Sequence, residues 1–185
     1  INLSDPSGNW PQQVIDIFIK AANIVKSVIT TILDNILTIK HDVPLYNQGA
    51  TSLCWAYSQT MVEDYQNKTT KTKTEADKRA KEIAVSVHGS AKWNQGGWPT
   101  NSGDWVYPSN MGDLYYALQN GPVYGYYAGT ESAHLVVITG VNLFRGEVYT
   151  NNPWGIAGVQ KYEDFLKSFA GGPTTIPFVA CILVN

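Results

Sequence analysis

Residues 47–58 read NQGATSLCWAYS, a polar, Gly-containing loop that turns at Cys54 into a helical pattern reaching Gln66. A thiol at a helix start sits among backbone N–H groups that favour an anion, so a thiolate would be stabilised there. Six residues upstream, the Gln48 amide N–H₂ can donate to an oxygen that gains negative charge beside the sulfur. The second cysteine, Cys181, lies within IPFVACILV (176–184) and reads as a small buried hydrophobe. Two cysteines cannot build a disulfide framework, and Cys/His spacing for a zinc site is absent.

A thiol nucleophile at neutral pH needs a base, usually histidine. Three are available: His41 ahead of the Pro44 loop, His88 at the end of a polar helix, and His134 opening HLVVITGVN. Downstream of His134 lies TNNPWG (150–155). The Asn152 side-chain carbonyl can accept from one imidazole nitrogen while the other faces the sulfur, and the Trp154 indole would shield that bond from water. The plainer alternatives are an ordinary strand histidine and a turn plugged by an aromatic ring.

Around this constellation, apolar spacing predicts helices over 11–39, 75–87 and 111–120, with an ordered loop region over 89–109. Runs rich in Val, Ile, Tyr and Thr predict strands over 123–127, 134–142, 147–151 and 176–184. Helices followed by strands, without βα alternation, give an α+β fold with an antiparallel sheet. The length of 185 residues suits one domain with a short appended segment. The division expected is residues 1–40 as an N-terminal amphipathic extension and residues 41–185 as the main domain. The extension reads as a helix packed on the rest, with a pro-segment or a membrane-surface helix as the sharper alternatives. Because the chain begins at Ile1, a processed product is expected. Hydrophobic content of 44% excludes intrinsic disorder, and a net charge of −2 offers no phosphate-binding surface, so no nucleic-acid partner is expected. No cofactor or metal is implied by any motif.

These residues resemble the papain-like cysteine peptidases. NQGATSLCWAYS is similar to that family's Gln-Gly…Cys-Trp-Ala-aromatic-Ser segment, and LYYALQNGPVYGYY to its helix followed by Gly-Pro-Val. AHLVVITGV resembles the histidine strand, NNPWG the Asn-Ser-Trp-Gly turn, and NQGGWP (94–99) the Gly-Gly stretch that pairs with bound peptide. The resemblance implies a helical N-terminal lobe carrying the nucleophile, an antiparallel C-terminal lobe, and a cleft between them. It implies Cys54 as nucleophile, His134 as base and then acid, Asn152 as orienting group, and Gln48 with the Cys54 N–H as oxyanion hole. Substrate would be bound by Gly96, Gly97 and Trp154, with Gly97 hydrogen-bonding its backbone, and by Trp98, Pro99, Tyr126, Ala133 and Leu135, whose apolar or aromatic character implies an apolar residue two positions before the cut.

Thr51 stands where the family carries a disulfide-bonded cysteine, and that cysteine's partner position falls at Asn94. His134 follows Cys54 by 80 residues, against roughly 130–150 in the larger relatives. The size is nearer to compact bacterial staphopain-like enzymes, which implies a secreted or extracellular bacterial protein, expected to be monomeric, acting on protein or peptide through a thioester. Peptidoglycan amidases and bacteriocin-leader peptidases share the Cys-before-His order, although the latter generally follow with Asp. A latent zymogen or non-catalytic module is the further alternative.

Overall fold

The computed structural model describes residues 11–90, 92, 96–106, 108–128, 133–169 and 179–183. Two compact units divide between Leu37 and Thr38. The first contains α1 (Gln12–Ile36), a single unbroken helix. None of its residues is buried within that unit, and its apolar residues include Ile17, Ile24 and Ile36. No helix among the described residues is long and apolar enough to cross a membrane.

The second unit opens with β1 (Thr38–Lys40), so the boundary expected after residue 40 falls three residues earlier. There follow α2 (Cys54–Asn67), α3 (Lys73–His88), β2 (Ser102–Val106) and α4 (Met111–Ala117), which runs into a 3-10 turn at Leu118–Asn120. Then come β3 (Val123–Ala128), β4 (Ala133–Asn142), β5 (Glu147–Asn152), β6 (Ile156–Lys161), α5 (Tyr162–Phe169) and β7 (Val179–Leu183). The strands form one antiparallel sheet in the order β2-β7-β3-β4-β5-β6, with β1 also paired to β4. The α+β expectation therefore holds. Helix α3 starts earlier than its apolar spacing suggests because Thr72 caps it: the Thr72 hydroxyl accepts from the Glu75 N–H, and the Glu75 carboxylate accepts from the Thr72 N–H.

Strand β4 organises the unit because both of its faces are covered. Leu135 and Val137 join Tyr124 in a core with Trp55, Met61, Val62 and the α3 residues Ala80 and Ile83. Val136, Ile138 and Val141 point the other way, into a second core with Leu114, Leu118, Val148 and Phe165. A strand buried on both sides loses polar alternation, which explains the unbroken apolar run Leu135–Ile138. Four elements, β1, β2, β6 and α5, were not anticipated. Strand β2 lies in a stretch dense in turn residues. Most of β6 is exposed, and its sequence IAGVQK lacks the aromatic and β-branched density of a strand. The eight residues of α5 are too few for a sustained helical period.

Gly140 is where β1 crosses β4. The register of β4 against β5 shifts between Ile138 and Gly140, and a methyl group on Gly140 would press into the Ile39 carbonyl oxygen and the Lys40 Cα. Backbone cannot yield as a flexible side chain can. Gly140→Ala is therefore expected to destabilise the unit by about 1–3 kcal/mol, lowering its urea midpoint. An unchanged midpoint would show that β1 does not need this close approach.

Candidate active site

The candidate side chains lie in the second unit: Gln48 in the loop before α2, Cys54 at the start of α2, His134 near the start of β4 and Asn152 at the end of β5. Cys54 is the first residue of α2, and α2 lies against β4, where the Ser58 hydroxyl donates to the Leu135 carbonyl at 3.3 Å. The backbone N–H of Leu135 faces the Cys54 sulfur, as do those of Trp55 and Cys54 itself. Cys54 is thereby held beside the residue that follows His134.

His134 Nε2 lies 2.9 Å from Asn152 Oδ1, and that same oxygen accepts the Trp154 backbone N–H at 3.0 Å. A backbone N–H can only donate, so the Asn152 atom must be the carbonyl oxygen and not the amide nitrogen. It follows that Nε2 of His134 carries a proton and donates to Asn152. In the neutral ring the lone pair is then on Nδ1. The Trp154 indole stacks on the imidazole with ring centroids 4.3 Å apart and planes inclined by 23°. One face of the histidine is covered, although Trp154 itself is 57% exposed.

The turn that presents Asn152 also anchors the Gln48 loop. Gln48 N donates to the Pro153 carbonyl at 2.6 Å, and Asn47 forms an isolated antiparallel bridge with Trp154. Gly155 has a φ of +82°, and a methyl on it would meet the Asn47 amide at 2.7 Å. The loop preceding Gln48 is tied down as well. The Asn151 amide donates to the Val43 carbonyl at 2.7 Å, and Tyr46 donates to buried Asp64. Burial and the Asp64 carboxylate push the Tyr46 phenol up to about 12.

The other histidines are spent on structure. His41 Nε2 lies 2.7 Å from the Leu118 carbonyl and Nδ1 2.9 Å from the Tyr65 hydroxyl. His88 packs edge-on against Trp55, with centroids 5.8 Å apart.

On the expected binding side, Gly97 lies so close to the Trp55 indole that no side chain fits between them. Gly96 is exposed and Pro99 buried. The next residue, Thr100, is held by buried Gln59: the Thr100 N–H donates to the Gln59 carbonyl at 2.9 Å, and the Gln59 amide donates to the Thr100 hydroxyl at 2.8 Å. Trp98 and Tyr126 meet edge to face, centroids 5.1 Å apart, and both pack against the core that contains Cys54 and Leu135. Leu135 is buried, and Ala133 is described through its backbone alone, paired with Ala128. Asn94 and Gln95 lie outside the described residues, and Cys181 is placed by its backbone in β7. Among the described residues no group of His, Cys, Asp or Glu could hold a metal ion.

Sequence reasoning missed the Leu135 N–H, the Pro153 carbonyl and the Gln59 clamp. The first two are main-chain groups that any residue would supply, so no sequence signal marks them. Gln59 could have been noticed as an amide on the apolar side of α2.

Burial pushes the Cys54 thiol up, opposed by the three backbone N–H groups that face it. Burial therefore opposes the thiolate that the helix start was expected to stabilise. Burial also pushes His134 below the ordinary histidine value of 6.5, opposed by its bond to Asn152. In each case burial opposes the charged form of the group.

The family model described as papain-like cysteine protease AvrRpt2 matches residues 37–171, from the unit boundary through α5. A search of curated proteins found no match. With this chemistry His134 must be neutral to act as a base, so kcat/KM should fall on acidification through a midpoint below 6.5. An acid limb centred above 6.5 would contradict the burial-dominated environment of the ring.

Proposed function

The chain belongs to the papain-like cysteine protease family and is a cysteine peptidase, and we propose that it hydrolyses peptide bonds through Cys54, His134, Asn152 and Gln48. In this reading His134 Nδ1 takes the thiol proton as Cys54 Sγ attacks the scissile carbonyl. The carbonyl oxygen becomes an oxyanion, which accepts from the Gln48 amide and the Cys54 backbone N–H. As the intermediate collapses, the C–N bond breaks and the imidazolium returns its proton to the departing amine. A thioester on Cys54 remains. Water, deprotonated by His134, then attacks the thioester, and the thiol is regenerated with the acid product.

The observation that carries this reading is Asn152 Oδ1 bridging the Trp154 N–H and His134 Nε2, which leaves Nδ1 as the basic nitrogen. The edge-to-face pair Trp98 and Tyr126, on the core that holds Leu135, supports an apolar pocket for the residue two positions before the cut. Gly97 supports an extended substrate backbone, because a side chain there is excluded and peptide main chain can approach its N–H and C=O.

Cys54→Ala is expected to abolish turnover, and Gln48→Ala to lower kcat by about 10²–10³ with the fold retained by circular dichroism. Wild-type turnover in Cys54→Ala would end the assignment. Cleavage profiling of a peptide library should return apolar side chains two positions before the cut, whereas a dominant basic preference would refute the pocket.

A further inference from the structure

Gln48 is 6% exposed, and its amide is held in an unusual way. Nε2 donates to the Thr51 carbonyl at 2.5 Å, while Oε1 is buried without a hydrogen-bond partner. Two carbonyl oxygens repel each other, so the Thr51 carbonyl dictates that the nitrogen and not the oxygen of the amide turns towards it. One hydrogen of Nε2 is spent on Thr51 and the second is left over. A buried, unpaired acceptor costs about 1–3 kcal/mol, a penalty that persists where the other end of the group is needed in one orientation.

The orientation of that amide depends on where the Thr51 carbonyl sits. Thr51 is itself closed back onto Gln48: its hydroxyl donates to the Gln48 carbonyl at 2.9 Å and its N–H approaches the same oxygen at 3.4 Å. Gly49, at a φ of +62°, lets the loop turn tightly enough for these bonds to form. The two residues thus hold each other, and the Thr51 hydroxyl is the side-chain contribution to the closure.

We propose that Thr51 is a positioning residue for the oxyanion donor. Its hydroxyl locks the Gln48–Thr51 loop, so that Nε2 of Gln48 is presented with one N–H free for the oxygen of the substrate carbonyl. The inference rests on the assignment of Gln48 to the oxyanion hole. Position 51 is where the family resemblance sets a disulfide-bonded cysteine, and in this chain a local hydrogen bond performs the holding.

The test compares wild type with Thr51→Val, Thr51→Ser, Gln48→Ala and the Gln48/Thr51 double variant on one peptide substrate. Each protein is also assayed for the rate of Cys54 alkylation by iodoacetamide. Displacement at a saturated carbon builds no oxyanion, so alkylation reports the thiol and its base without the Gln48 donor. Thr51→Val should lower kcat by about 10- to 100-fold with KM and the alkylation rate within twofold of wild type. Thr51→Ser, which keeps the hydroxyl, should recover most of kcat, and Thr51→Val should add little in the Gln48→Ala background. Should Thr51→Val fail to fold, Thr51→Ala against Thr51→Ser gives the same comparison. Wild-type kcat in the hydroxyl-free variant, or a parallel loss of kcat and alkylation, overturns the proposal while leaving a slow Gln48→Ala intact. A fully active Gln48→Ala instead removes the oxyanion assignment beneath it.

Discussion

Asn152 Oδ1 accepts two hydrogen bonds, and the chemistry of the site depends on that pairing. The Trp154 N–H identifies the atom as oxygen, the oxygen requires a proton on His134 Nε2, and that proton leaves the lone pair on Nδ1. β4 and β5 pair from Asn142↔Glu147 to Val137↔Asn151, across the register shift before Gly140, so the histidine strand and the asparagine end of β5 stand side by side. Helix α2 packs on β4 and brings the Cys54 sulfur to the Leu135 N–H. A single shared sheet thus connects residues far apart in sequence without any disulfide among them.

Burial works against charge at both reactive groups and therefore shapes how the site operates. The thiol is pushed up and the imidazole down, so burial disfavours the charged form of each. In the proposed reaction, the backbone N–H groups around the sulfur and the Gln48 amide are the groups available to stabilise the charge that develops. The structural cost is met elsewhere, in the Asp64–Tyr46 bond, the Gln59–Thr100 clamp and the Asn151–Val43 bond, which hold the surrounding loops.

Much of this was legible in the sequence where side chains carry the information. The Cys54 helix, the Leu135–Ile138 run and the Asn152-Pro153-Trp154 turn each have chemistry that spacing exposes. The contacts of His134 with Asn152 and Trp154 were also legible, because an amide and an indole lie downstream in one short turn. Other features were invisible for physical reasons. Pro153 contributes a carbonyl and Leu135 an N–H, groups identical in every residue of their kind. β6 is exposed along most of its length and so never acquires the apolar pattern that marks a buried strand. The Thr51 hydroxyl could be named as a replacement, but its bond to the Gln48 carbonyl appears only once the loop is closed. The thiolate expected at the helix mouth was offset by burial, which no local spacing reveals.

The proton on the imidazole can be observed directly. Nitrogen-15 spectra of the ¹⁵N-histidine-labelled enzyme, assigned with His134→Gln and recorded at a pH where the ring is neutral, distinguish a protonated ring nitrogen from one bearing a lone pair. The account predicts that His134 is protonated at Nε2 and unprotonated at Nδ1. A neutral ring protonated at Nδ1 would contradict it, because the nitrogen required as the base would already hold the proton.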